Sequence, residues 1–219
     1  MNEAMNGYGH WVLVILNSAI FLIFAFSFTK PKTKPDWRSF GAFTAFIVAM
    51  FTEMYGIPLT IYFLAGWLGD KFPGLNLLTH ESGHIWSAFL GSDINPHLHP
   101  IHIAANLLIV LGFWLLASSW KVLHAAQQEH ELATEGIYSK VRHPQYIGFL
   151  AIMFGFLVMW PTLLTVLMFP ILVAMYYRLA KREEEDMVRE FGQKYVEYKK
   201  NVPRFIPRLS GLNQGAREI

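Results

Sequence analysis

The sequence predicts an all-α fold: a polytopic membrane helix bundle of five transmembrane helices with a C-terminal cytoplasmic helical tail. Three observations carry this reading. Of 219 residues, 53% are hydrophobic and 16% charged, whereas a soluble domain carries about a quarter charged residues. The apolar residues gather in long runs, of the length that crosses a hydrocarbon core of roughly 30 Å at about 1.5 Å per helical residue. The basic residues fall between these runs and, in the main, on one side of them. This composition excludes a disordered chain, a coiled coil and most soluble enzymes, and a net charge of +2 is too small to imply a nucleic-acid partner. With no cysteine, disulfides, thiolate metal sites and a cysteine nucleophile are excluded as well. Residues 1–219 read as one membrane domain.

The first run covers about residues 9–28 and holds no charge. No Lys or Arg precedes it and no small-residue cleavage site follows, so it reads as a retained helix and not as a signal peptide. Asn17 within it reads as a bundle contact. The second run, 40–68, is broken by Gly56 and Pro58, and the Gly-Ile-Pro step predicts a kink or a partly unwound segment. It also holds Glu53, the only carboxylate in any predicted span. An intramembrane acid is costly and by default marks a functional site. Glu53 reads either as a substrate-binding residue near the kink or as a hydrogen-bond partner of His102, Asn106 or Tyr55. The third run is 101–122. The last charge-free stretch, 146–177, is too long for one straight helix, and Trp160-Pro161 near its middle reads as a hairpin tip. Two spans follow, 146–160 and 162–178. Tryptophans near the span ends (Trp11, Trp37, Trp67, Trp86, Trp160) fit an interfacial belt.

Of the 18 basic residues, 17 lie in the 29–39 connection, in the segments around 123–145, or after residue 177; Lys71 alone lies elsewhere. The positive-inside rule then puts the N-terminus outside and the C-terminus in the cytoplasm, as five crossings require. The loop 123–145 and the tail 179–210 become cytoplasmic, and both combine cations, carboxylates and aromatics. In the tail Arg178 and Arg182 share a helix face at i, i+4, as do Lys181 and Glu185, so on charge pattern alone it also reads as a solvated, self-paired helix.

The motifs are more specific than the charge. Gly136-x-Tyr138-x-x-x-Arg142-His143-Pro144-x-Tyr146-x-Gly148, then Arg178, Glu183-Glu184, Phe191-Gly192, Tyr195 and Tyr198, flank a charge-free hairpin. In that order and spacing they resemble the two signatures of the isoprenylcysteine carboxyl methyltransferase and phospholipid methyltransferase family of integral membrane methyltransferases. The resemblance covers roughly residues 128–207. It implies an enzyme that binds S-adenosyl-L-methionine without a Rossmann domain, and the chain has no G-x-G-x-x-G turn after a strand. By the resemblance, His130, Gly136, Tyr138, Arg142, His143 and Tyr146 of the loop hold the cofactor with Glu183 and Glu184 of the tail. The paired glutamates would take its ammonium and ribose hydroxyls. Arg178 and Glu184 are the candidate catalytic pair, Arg178 orienting an anionic or polar acceptor. The alternative for Arg178 is a snorkelling cation at a helix end. The acceptor is expected to be small or lipid-like, membrane lipids are the surrounding partners, and neither nucleic acid nor a protein partner is expected.

One competing signal lies in the N-terminal half. His80-Glu81-Ser82-Gly83-His84 matches H-E-x-x-H, which places two histidines on one helix face to hold zinc, with the glutamate as base. Gly83 falls inside the required helix, and the motif sits in the outer loop that begins at Phe72-Pro73-Gly74. His97, His99, His102 and Asp93 are nearby ligand candidates. A zinc protease, or a transporter or metal-handling protein built on Glu53 and this outer cluster, are the rival readings. A polar, histidine-rich cap on the bundle, with no metal, is the reading preferred.

Overall fold

A computed structural model describes residues 8–71 and 98–208. Among them the regular elements are all helical: α1 (Trp11–Thr29), α2 (Lys34–Phe51), a π-helical turn (Thr52–Gly56), α3 (Leu59–Lys71), α4 (Pro100–Glu129), a 3-10 turn (Gly136–Ser139), α5 (Pro144–Met159), α6 (Leu163–Phe191) and α7 (Gln193–Asn201). The H-E-x-x-H motif, Trp86, Asp93 and His97 lie outside the described residues. Among those described, no group of three or more His, Asp or Glu side chains is placed to hold a metal.

α1 ends where Lys30 turns left-handed (φ 35°) and its N–H closes on the Phe26 carbonyl at 3.1 Å. Pro31 follows and stops the helix. α2 begins at Lys34, ahead of the apolar run that starts near residue 40, because a capping box starts it. The Thr33 hydroxyl accepts from Asp36 N–H at 3.3 Å, and the Asp36 carboxylate accepts from Thr33 N–H at 2.9 Å. The break foreseen at Gly56-Ile57-Pro58 is present. The helix loosens into the π turn, and α3 leaves at 60° to the line of α2.

Pro100 lies in the first turn of α4. This helix runs on to Glu129, and α6 runs on to Phe191, each well past the apolar stretch that opens it. The α5–α6 hairpin turns at Trp160-Pro161 as expected, and a capping box between Thr162 and Thr165 opens α6. Among the described residues, three helices (α1, α4, α6) are long and apolar enough to cross a membrane, or four if the bent α2–α3 pair counts as one; α5 is apolar but only 16 residues long.

α4 and α5 pack backbone to backbone through glycines. A Cβ on Gly148 would stand 3.0 Å from the Gly112 carbonyl oxygen and 2.8 Å from Leu116 Cγ; one on Gly155 would meet Ile109 Cγ1 at 2.6 Å. Small residues of this kind let helices approach closely where burial of apolar surface alone does not drive them together. Phe43, Phe149 and Tyr176 join α2, α5 and α6 in the core, and the Tyr176 hydroxyl donates to the Ser39 carbonyl at 2.7 Å. The ends of these helices that carry the 30–36 and 130–143 connections are thereby locked together, and the site is built there.

Glu53 sits at the opposite end. Its carboxylate accepts from Thr60 N–H at 3.0 Å and from the Thr60 hydroxyl at 2.6 Å, and that hydroxyl in turn accepts from Leu163 N–H at 2.7 Å. Thr60 across the break is thus its observed partner, and the interaction ties the π turn to the start of α6. Glu53 and Asp36 are 17 positions apart, about 25 Å along a helix.

Candidate functional site

The connection after α4 turns at two left-handed residues, His130 (φ 55°) and Gly136 (φ 56°). It then runs into the Arg142-His143-Pro144 turn that opens α5. The chain after α7 folds back onto this turn: Arg142 N–H donates to the Pro203 carbonyl at 2.9 Å and His143 N–H to that of Arg204 at 3.2 Å. Tyr198 of α7 donates its hydroxyl to the Tyr138 carbonyl at 2.7 Å, and Tyr138 donates its own to Gln145 Oε1 at 3.1 Å. Loop, α6, α7 and the 202–205 strap thus form one unit.

Glu184 is its centre and is fully buried. A buried carboxylate is tolerated only with matched charge and filled hydrogen-bond positions, and here both conditions are met. Arg142 approaches Oε1 through Nε (3.0 Å) and Nη2 (2.7 Å). Arg204 binds both oxygens, Nε to Oε1 at 2.7 Å and Nη2 to Oε2 at 2.8 Å. Lys199 Nζ lies 3.2 Å from Oε2 and His143 Nε2 3.3 Å from Oε1. Burial alone would raise the carboxyl group, but the hydrogen bonds from Arg204, His143 and Arg142 prevail and hold it well below the usual carboxylate range. Arg142 spends its remaining donor, Nη1, on the Lys199 and Val202 carbonyls.

Glu183 stands differently. Its side chain is 17% exposed, it accepts a short hydrogen bond from the Tyr146 hydroxyl, and its Oε2 lies 3.4 Å from His143 Nδ1. That approach is off line, so Nδ1 is buried without a hydrogen bond. His143 therefore lies between two carboxylates, its ring parallel to Tyr146 (2°, centroids 5.5 Å). Burial pushes its pKa down, but the adjacent carboxylates of Glu183 and Glu184 outweigh that and raise it above the ordinary value.

These groups border a cavity of about 530 Å³, within the 300–1,000 Å³ typical of small-molecule sites. Of the residues singled out in the sequence, His130, Tyr138, Arg142, His143 and Glu183 line it. Gly136, Tyr146 and Glu184 are part of the same unit but are not among the lining residues. Arg178 is exposed on α6 away from the lining, and Glu53 is at the far end. The structure adds residues given no role above: Lys32 from the α1–α2 connection and Asp36 from the first turn of α2, Gln127 and Glu131 from the end of α4 and just after it, and Arg204 from the strap. The Thr33-x-x-Asp36 capping pattern was a usable signal for the first pair. For Gln127 and Arg204 no local signal existed.

Residues 100–194 match the phospholipid methyltransferase family model. Protein-S-isoprenylcysteine O-methyltransferase from Rattus norvegicus is 33% identical over 97 residues, which are 42% of this chain and 34% of that protein; the Homo sapiens protein of the same name is 34% identical over 94 residues, 41% of this chain and 33% of its own. Methanethiol S-methyltransferase from Crocosphaera subtropica is 40% identical over 112 residues, 48% of this chain and 42% of that protein. The chain spans about a third of the length of the isoprenylcysteine relatives it matches. The matched segment contains the loop, the Arg142-His143 turn and both glutamates, and over it the chain is similar to the phospholipid methyltransferase family.

Proposed function

We propose that the chain is an integral membrane methyltransferase that uses S-adenosyl-L-methionine on a small or lipid-like acceptor at the cytoplasmic membrane face. One observation carries the reading: His143 is set between Glu183 and Glu184 on the wall of a 530 Å³ cavity, where the two signature segments meet. The residues fit the cofactor, which bears a sulfonium, an ammonium, a carboxylate and a ribose diol and so asks for both signs of charge beside aromatic faces. At the cavity Gln127 Oε1 is buried without a hydrogen-bond partner, and His143 Nδ1 meets Glu183 Oε2 at 3.4 Å without a well-aligned hydrogen bond, as expected of a wall that a ligand completes.

When bound, the cofactor supplies an electrophilic methyl group on sulfur. Glu183, partly open to the cavity and oriented by the Tyr146 hydroxyl, accepts hydroxyl or ammonium hydrogens. His130, Gly136 and Tyr138 shape the loop side. Arg142, with its charge already met by Glu184, holds the turn that presents His143. Glu184 acts as the positioning residue for all of these, since its oxygens are filled from within the protein. Arg178, exposed on α6 outside the lining, is assigned the orientation of a polar or anionic acceptor group on its position between the last span and the paired glutamates. For Glu53, the Thr60 and Leu163 hydrogen bonds favour the interhelical reading. Transfer is an in-line displacement, so most of the acceleration comes from positioning.

In this reading α1, the bent α2–α3 pair, α4, α5 and α6 make five crossings, with the N-terminus outside and the basic end of the bundle in the cytoplasm. The relatives' names specify an oxygen of a protein isoprenylcysteine and the sulfur of methanethiol as acceptors, and this chain's acceptor belongs to the same range of small or prenylated molecules reaching the cavity through the bilayer. Calorimetry with S-adenosylhomocysteine on protein in nanodiscs tests the central claim. Binding that disappears in His143→Ala and Glu183→Gln supports it, and absence of binding to the wild type overturns it. Labelled methyl transfer into lipid extracts then identifies the acceptor.

A further inference from the structure

The α1–α2 connection lies outside the segment matched to the family, yet it forms part of the cavity wall through Lys32, Thr33, Pro35 and Asp36. It is held rigidly. The Asp36 carboxylate accepts from Lys32 N–H at 3.1 Å and Thr33 N–H at 2.9 Å, and prolines at 31 and 35 fix the backbone on either side. The Lys32 side chain is exposed on this short frame and makes no ion pair among the described residues. Of the lysines and arginines that line the cavity, the other is Arg142, whose guanidinium is committed on every nitrogen and neutralised by Glu184. Lys32 therefore carries the uncommitted cationic charge of the wall.

Gln127, on the last turn of α4, lines the same cavity, and its Oε1 is buried without a hydrogen-bond partner. A buried amide oxygen left unpaired weakens a fold unless a ligand's donor meets it. The exposed carboxylates on the wall are poorer partners for a ligand's cation, because water solvates them: Glu131 is 3.6 Å from Lys194, Asp186 3.3 Å from Arg189, and Glu190 is exposed as well. An uncommitted cation and an empty acceptor on one cavity form the pair that reads an α-amino acid.

We propose that Lys32 and Gln127 form the subsite for the amino-acid end of the cofactor, Lys32 pairing with its α-carboxylate and Gln127 Oε1 accepting from its α-ammonium. This rests on the cofactor reading above, and it leaves Glu183 to the ribose hydroxyls. Calorimetry on full-length protein in nanodiscs with three ligands tests it: S-adenosylhomocysteine, its decarboxylated analogue that keeps the amine, and methylthioadenosine, which lacks both groups. Lys32→Met is expected to weaken S-adenosylhomocysteine about tenfold or more and leave the other two unchanged, while Lys32→Arg restores the affinity. Gln127→Leu is expected to weaken the first two ligands and leave methylthioadenosine unchanged, which also shows that the variant is folded. Equal losses for all three ligands, or no loss, overturn the subsite while the cofactor reading stands. If the wild type binds none of them, both fall.

Discussion

At the scale of single residues, the two adjacent glutamates have separate tasks. Glu184 is wrapped by Arg142, Arg204, Lys199 and His143, so Glu184→Gln leaves several cations without their counter-charge. A loss of about 3–5 kcal/mol is expected from the breaking of a buried charge network, read as a fall in thermal midpoint of the detergent-solubilised protein. Because the folded-state pKa of Glu184 is depressed, its contribution is complete above the unfolded carboxylate value and disappears as pH falls through the folded one. The acid limb of the stability profile should flatten in the variant; an unchanged limb refutes the assignment. His143 has the opposite sign. Its pKa is raised by the two glutamates, so its contribution is present below the unfolded value of about 6.5 and is lost as pH rises through the folded one. Imidazole NMR titration should find the pKa lower in Glu183→Gln than in wild type. The paired glutamates and the Arg-His-Pro turn stood out in the sequence, and the structure brings them together. Which glutamate is solvent-linked and which is sealed in was not, because that division depends on Arg204, 20 positions away and in no motif.

At the scale of elements, proline and glycine made the fold readable. The Gly56-Ile57-Pro58 break and the Trp160-Pro161 tip are both present because a proline's missing N–H and fixed φ act locally. The helix ends were less readable. α2 begins early, and α4 and α6 run beyond the expected spans, because hydropathy marks where lipid contact stops and not where helical hydrogen bonding stops. Capping boxes and amphipathic turns decide that instead. The glycine contact between α4 and α5 gives a sharp test. Gly148→Ala forces a methyl group against the Gly112 carbonyl and Leu116 and should destabilise by about 1–3 kcal/mol as an overpacked core does. Gly41→Ala, with nothing within 4 Å of the new methyl inside α2, should instead be neutral or stabilise by up to about 1 kcal/mol. Equal melting shifts for the two would contradict the packing described.

At the scale of the molecule, the site is a closure between parts distant in sequence. Arg142 reaches carbonyls 57 and 60 positions away, and Lys32 and Asp36 enter the cavity from the other end of the chain. Local patterns located the two charged segments and the charge asymmetry, but no pattern of spacing reports which backbone carbonyls a loop will meet. Removing residues after 201 is expected to abolish binding of S-adenosylhomocysteine while leaving a membrane-inserted helical bundle by circular dichroism. Retained binding would show that the strap is dispensable.

The strap has a consequence for biosynthesis. As the chain leaves the ribosome, helices α1 to α6 can enter the bilayer and pair before residues 202–204 exist outside the exit tunnel. Until then Glu184 lacks Arg204, and the Arg142-His143 turn lacks the carbonyls that hold its amides. On the proposed function, cofactor binding is thus among the last properties the nascent protein acquires, and a chain that stops before residue 202 is expected to leave Glu184 without Arg204.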